Sequence, residues 1–215
     1  MNQVWLILTL VALATAWPQP LPFTHPTPPT KRPFRIRRSL PIQGRANKLI
    51  TVVVGGAQDT FVPNSISAAV GDVIQFQFSS GNHTVTQSSE DAACQPLQLT
   101  QADAIHSGHI PYEDGQTTVG TFNMPVTSTE PMFLYCATGP HCQEGQVMVI
   151  NPTSDEQLIN YSKLSAAAAV NVDGTTVVGG AVGELALEAA AFDPPAAEEE
   201  APPADAPAET PAATP

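Results

Sequence analysis

The sequence predicts an all-β protein, a Greek-key β-sandwich between disordered flanking segments, and three observations carry that expectation. Short β-branched or alternating runs recur from Lys48 to Pro152, with turn residues between them. No long segment of that stretch has helical periodicity. The flanks differ in composition: prolines crowd the N-terminal side, while Ala, Pro and acidic residues fill the C-terminal side. At 215 residues the length allows one or two domains, but the 22 prolines and 6% aromatic content leave less globular material than the length suggests.

Leu49-Ile50-Thr51-Val52-Val53-Val54 is a β-branched run closed by Gly55-Gly56, which reads as a strand and its turn. Val70-Gly71-Asp72 predicts a turn, and Val73-Ile74-Gln75-Phe76-Gln77-Phe78 then alternates apolar with polar as a half-buried strand does. Further short strands are expected at 84–87, 117–122, 132–135 and 147–150, with a short helix near 97–104. Short strands at this spacing over roughly 100 residues suit a sandwich with Greek-key connections.

Residues 4–16 are apolar and end in Ala14-Thr15-Ala16, the pattern of a secretory signal over 1–16, although Met1-Asn2-Gln3 lacks the usual positive charge. A membrane anchor is the rival reading, but a span needs about 18 apolar residues and Trp17-Pro18 ends this run early. Residues 17–47 are Pro-rich and basic and read as a linker or pro-segment. Arg35-Ile36-Arg37-Arg38 resembles a dibasic processing site; a basic linker that stays is the alternative. Cleavage after Arg38 would leave three basic against twenty acidic residues, a net charge near −17. Either way the surface is acidic, which argues against nucleic acid as a partner. After Pro152 order is expected to fade. Residues 153–192 form a low-complexity Ala/Gly/Val segment with a short helix around Glu184–Phe192, and 193–215 form a disordered acidic tail. The C-terminus lacks the hydrophobic tail of a lipid-anchor signal, so a secreted protein with no membrane span after signal removal is expected.

The chemistry gathers in Tyr135-Cys136-Ala137-Thr138-Gly139-Pro140-His141-Cys142-Gln143-Glu144-Gly145-Gln146, just ahead of the apolar run Val147–Ile150. Cys136 offers a thiolate, and His141 follows across a Thr-Gly-Pro turn that can return its ring to the sulfur. His83, in Asn82-His83-Thr84, offers a second imidazole, and Gln146 an amide oxygen. Two His, one Cys and a weak axial donor are the ligand set of a mononuclear blue (type 1) copper site, which thiolate and imidazole suit in both oxidation states. The same set could also take zinc.

Secretion implies an oxidising compartment, where three cysteines leave one over. Cys94 with Cys142 explains all three, leaving Cys136 for a metal; Cys136 with Cys142, which would abolish the site, remains the alternative. His106 and His109 read as solvent-exposed loop histidines, because no nearby cysteine or carboxylate completes a second set. Asn82 and Asn160 fit the N-glycosylation pattern, and a glycan on Asn82 would crowd the site's mouth. Glu90-Asp91 and Glu113-Asp114 read as solvated charge, and the sequence holds no phosphate loop, nucleophile motif or zinc-finger spacing.

Over residues 48–152 the chain resembles the cupredoxins of the phytocyanin type, and above all fungal extracellular cupredoxin-like proteins often trailed by serine-rich tails. The matching segments are Thr60–Ile66, Ala69–Phe76, Asn82–Ser88, Cys94–Leu97 and Tyr135–Pro152, in that order. The resemblance implies the cupredoxin fold, copper on His83, Cys136 and His141, and a bridge between Cys94 and Cys142. Gln146 stands where many fungal members have Met, which makes the site similar to that of stellacyanin and should favour Cu(II). The tail departs too, being Ala/Pro/acidic instead of Ser-rich. The His-x-His pairs of multicopper oxidases are absent, so no enzyme is expected. The function expected is a secreted one-electron carrier with an unidentified redox partner and a possible place at the cell wall. The alternatives are a non-redox structural or interaction protein, or a copper buffer.

Overall fold

The computed structural model describes residues 45–192. The expected signal, most of the Pro-rich segment and the acidic tail lie outside the described residues. Among the described residues eleven strands follow one another: β1 (Leu49–Gly55), β2 (Thr60–Val62), β3 (Ser65–Ile66), β4 (Val73–Phe78), β5 (Gly81–His83), β6 (Thr86–Ser88), β7 (Ile110–Tyr112), β8 (Thr118–Pro125), β9 (Met132–Tyr135), β10 (Val147–Ile150) and β11 (Ala181–Ala186). The single α-helix among the described residues, α1 (Asp155–Ala166), lies between β10 and β11. None of the described helices is long and apolar enough to cross a membrane.

The strands form a sandwich, as the sequence predicts. One sheet has the order β11-β8-β4-β1-β2 and the other β3-β10-β9-β6, while β5 and β7 pair separately. The chain passes between the main sheets from β2 to β3 and back to β4, so that β1 lies parallel to β4 and β3 parallel to β10. Between the sheets, Val52, Val54, Ile74, Phe76 and Phe122 meet Leu134, Met148 and Ile150 in one core. Phe61 meets Phe76 edge-on at 6.4 Å between ring centroids, the favoured aromatic geometry.

Strand β10 is buried along its whole length because it is covered on both faces. Met148 and Ile150 face the inner core, whereas Val147 and Val149 join Phe133, Tyr135 and Tyr161 in a second cluster on the outer side. A strand covered twice reads as a continuous apolar run, which is the Val147–Ile150 pattern.

Helix α1 supplies that outer cover, and it corrects the expectation that order fades after Pro152. Leu158, Tyr161 and Ser165, at 3–4 residue spacing on one face of the helix, turn toward the outer cluster, and Ala168, just past the helix end, packs against it too. Asp155 and Glu156 in the first turn and Lys163 in the last complement the helix dipole. Tyr161 also shares a hydrogen bond with Ser88, hydroxyl to hydroxyl at 2.6 Å. With small, polar Ser165 as one of its three facing positions, the helix carries little apolar signature. Farther on, the helix expected at 184–192 is instead β11, followed by a turn of 3₁₀ helix at Leu187–Ala189. β11 pairs antiparallel with β8 from Ala181↔Asn123 to Ala186↔Thr118. It is an edge strand whose residues are mostly exposed, so its ladder hydrogen bonds hold it without the alternation that marks a buried strand.

Other differences are local. The strand expected at 84–87 is the short β6 (Thr86–Ser88), and Thr84-Val85 links it to β5, which belongs to a different sheet. The helix expected near 97–104 is a 3₁₀ turn at Leu97–Leu99. Asp72, placed in a turn by the sequence, has a buried carboxylate that accepts from Arg45 at 2.6 Å and from the amides of Lys48 and Ala69 at 2.9 Å each.

Candidate metal centre

Three of the four candidate ligands adjoin strand ends, and His141 sits in the loop between β9 and β10. His83 closes β5, and Cys136 follows β9 directly. His141 and Gln146 come from the loop that leads into β10, and the loop is tightly tied. The Cys136 amide donates to the Gln146 carbonyl at 3.0 Å, and the Gln146 amide donates back to the His141 carbonyl at 2.8 Å. The His141 amide donates to the Thr138 carbonyl at 3.0 Å. Gly139 and Gly145 turn the chain at φ +44 and +104, where residues with a Cβ are strained.

The structure brings the four residues together. The Cys136 sulfur lies 3.6 Å from Nδ1 of His141 and 3.8 Å from Nδ1 of His83. Oε1 of Gln146 lies 3.1 Å from Nδ1 of each ring. Among the described residues, His83, Cys136 and His141 are the one group of three metal-ligating side chains whose donor atoms are mutually within 4.8 Å. A metal held about 2.3 Å from sulfur and about 2.0 Å from nitrogen, with ligands ~120° apart in a plane, would separate S from N by roughly 3.7 Å. The observed separations fit that spacing. The amide of Gln146 also points one way: its oxygen faces the cluster, and its buried nitrogen has no hydrogen-bond partner.

His83, Cys136 and Gln146 are fully buried, while the His141 side chain keeps 17% of its surface exposed and forms the rim. Nε2 of His83 donates to the Ser80 carbonyl at 2.8 Å, which leaves Nδ1 free to face the sulfur. The ring fits because two neighbours lack a side chain. A Cβ on Gly55 would stand 2.5 Å from His83 Nε2, and one on Gly81 would stand 2.9 Å from it. The Thr84 amide donates to the Cys136 sulfur at 3.4 Å, and the Ala137 amide donates to the Thr84 hydroxyl at 2.7 Å. Burial opposes a charge on His83, but the Cys136 sulfur and the Ser80 carbonyl outweigh it and raise its pKa. Asp59 stands on the outer side of both rings, 3.5 Å from Nε2 of His83 and 3.8 Å from Nε2 of His141.

Cys94 and Cys142 are bonded, with Cα atoms 5.7 Å apart, and Cys136 is left as a free, buried thiol. The Cys136–Cys142 alternative is therefore set aside. His109 is an exposed loop residue as expected, but the same reading of His106 needs correcting. His106 is buried, bridged by its backbone to Thr86 and to Val178. The missing carboxylate is Asp173: its oxygens lie 2.7 Å from Nε2 of His109 and 3.7 Å from Nε2 of His106. Asn82 and Asn160 are both exposed, in β5 and α1 respectively.

Sequence reasoning missed Ser80, Thr84, Asp59 and the Gly55 and Gly81 cradle. Their roles depend on folding, and only Gly81-Asn82-His83 had a local signal, a glycine two residues from a ligand. It also missed Asn171, whose amide donates to the carbonyls of Cys136 at 3.0 Å and Gly139 at 2.8 Å.

No family model matches the chain. Two curated proteins of the fungus Arthroderma benhamiae are similar in sequence. One, named "Probable GPI-anchored cupredoxin-1", is 35% identical over 129 residues, which is 59% of this chain and 63% of that protein. The other, named "Extracellular serine-rich protein", is 33% identical over 139 residues, 64% of this chain and 53% of that protein. The chain thus spans less than two thirds of the length of either relative. Among solved structures, the purple cupredoxin from Nitrosopumilus maritimus aligns at 13% identity with a TM-score of 0.35, covering 47% of this chain and 96% of that one.

Proposed function

We propose that this chain, cupredoxin-like in sequence and in its β-sandwich, binds one copper ion through His83, Cys136, His141 and Gln146 and carries single electrons outside the cell. The observation that supports this reading most is the convergence of one thiol sulfur, two Nδ1 atoms and one amide oxygen in a buried cluster. Copper, when bound, supplies a one-electron couple whose two states both accept thiolate and imidazole.

The chain's own residues account for the rest. Cys136 and the two histidines would hold the ion through sulfur and nitrogen, and Gln146 would add a weak oxygen donor. The strand ends, the loop hydrogen bonds and the Ser80 carbonyl hold these groups in place, which limits how far they move when the charge on the site changes. Burial of His83, Cys136 and Gln146 keeps water from the sulfur, and the exposed edge of His141 leaves one approach for a redox partner. An extracellular location is supported by the Cys94–Cys142 bond, by the signal-like residues 1–16, and by relatives named as GPI-anchored or extracellular. Asn82 and Asn160 would then be open to glycosylation, and cell-wall association is compatible with the same names.

Addition of copper to the metal-free protein tests this reading. An intense visible sulfur-to-copper charge-transfer band should appear and should be lost in Cys136→Ser. A protein that stays colourless would sink the reading and favour a non-redox role for the fold. Metal analysis of protein isolated from its source separates copper from zinc.

A further inference from the structure

We propose that residues 171–173, in the segment that follows α1, are the positioning element of the copper-ligand loop, with Asn171 as its principal side chain. The inference rests on the copper reading and adds to it residues outside the expected domain. The Asn171 side-chain amide donates to the carbonyls of Cys136 at 3.0 Å and Gly139 at 2.8 Å, with the Thr138 carbonyl at 3.5 Å. It thus ties the ligand Cys136 to the turn that leads to the ligand His141. Its own side-chain oxygen is buried without a partner, so the group is held in place for its donor side alone.

The neighbours of Asn171 do the same from either side. The Val172 carbonyl accepts from the Tyr135 hydroxyl, one residue before Cys136, and the Val172 amide donates to the carbonyl of Cys94, itself bonded to Cys142. Asp173 reaches the loop through two histidines. One route runs through His109, whose Nδ1 lies 3.1 Å from the Thr138 hydroxyl. The other is looser: Asp173 stands 3.7 Å from His106, beyond hydrogen-bond reach, and from that ring the chain continues to Thr86 at 3.0 Å, to Thr84 at 2.8 Å, and to the Ala137 amide at 2.7 Å. Gly174 has no Cβ to collide with the His106 ring, where one would stand 2.4 Å from Cγ. Residues 136–139 are therefore held from behind by three consecutive residues of a segment whose composition marks it as low in complexity.

Outer partners that orient metal ligands typically change metal affinity by about 10–100-fold when removed. In the full chain, Asn171→Ala should weaken Cu(II) binding, measured by chelator competition, by about that factor and shift the charge-transfer band. Asn171→Asp, of the same shape but without a donor, should do at least as much. Tyr135→Phe, which removes only the contact to Val172, should act in the same direction and less. Thermal midpoints of the metal-free proteins identify any variant that fails to fold; if Asn171→Ala does, Tyr135→Phe decides by the same two measurements. If the parent turns blue but the folded variants keep its affinity and band, the positioning role is overturned and the copper reading stands. A colourless parent overturns both.

Discussion

The side-chain oxygen of Gln146 stands 3.1 Å from Nδ1 of His83, across 63 residues of sequence. That contact joins the two strand ends on which the site depends, since β5 carries one residue and the entry to β10 the other. Because the amide nitrogen of Gln146 has no partner in the core, the residue gives the protein interior little beyond its oxygen. A buried donor left unpaired costs about 1–3 kcal/mol, so a role for the opposite end of the side chain is needed to account for it.

Gln146→Met should therefore raise the reduction potential of the copper-loaded protein. A thioether is softer than an amide oxygen and disfavours Cu(II) relative to it. The substitution also removes the unpaired nitrogen, so the metal-free protein should be no less stable. Voltammetry beside the parent checks the first expectation and thermal denaturation the second; an unchanged or lower potential would count against Gln146 as a ligand.

Asp59→Asn should raise the potential as well, by less. Its carboxylate faces the outer nitrogens of both rings, and negative charge there favours the more positive state of the site. The side chain is 40% exposed, so water and salt screen it, and the difference between parent and variant should shrink as ionic strength rises. A difference independent of salt would point to a changed ligand geometry instead.

Gly55→Ala tests the cradle around His83. At φ +103 a side chain is strained by about 1–3 kcal/mol, and the added carbon would meet the ring that the Ser80 carbonyl holds. Lower stability and a disturbed copper spectrum should appear together. Loss of stability with an unchanged spectrum would mean that the ring does not move.

Much of this was legible in the chain and the remainder had physical reasons to be hidden. β-branching and alternation mark β1 and β4, and the run Val147–Ile150 marks a strand covered on both faces. The ligand loop is visible because Cys136, His141 and Gln146 are rare types set close together. Helix α1 escapes because its buried face is narrow and includes the small, polar Ser165, and β11 escapes because an exposed edge strand needs no apolar alternation. Once those two elements are in place, Asp173 arrives beside His106 and His109. A carboxylate 64 residues from its nearer histidine has no local signature.

The buried Asp72 gives the fold an acid limit. The Arg45 guanidinium and the amides of Ala69 and Lys48 hold its carboxyl well below the usual carboxylate range, to about 2. A carboxyl whose folded pKa is depressed contributes stability above its unfolded value, about 3.9, and loses it as pH falls toward 2. Thermal midpoints should therefore drop across that window in the parent. In Asp72→Asn, which cannot titrate, the midpoint should start lower at neutral pH and fall less between pH 4 and 2; parallel curves would exclude Asp72 as the group responsible.

Tyr161 decides whether α1 is part of the cooperative unit. Its ring lies 5.1 Å from that of Phe133, and its hydroxyl is shared with Ser88. Tyr161→Phe removes one buried hydrogen bond and should cost about 1 kcal/mol, while Ser88 keeps the Ser89 carbonyl as an acceptor. Tyr161→Ala opens a cavity beneath the helix and should cost about 3–5 kcal/mol, as large aromatic truncations in cores do. If α1 unfolds together with the sandwich, both variants shift one transition, by roughly 2–4 °C per kcal/mol at this chain length. If α1 merely rests on the sheet, calorimetry should leave the main transition in place and show loss of helix alone. The outer face of Val147 and Val149 would then be exposed at lower temperature, and proteolysis should begin within α1.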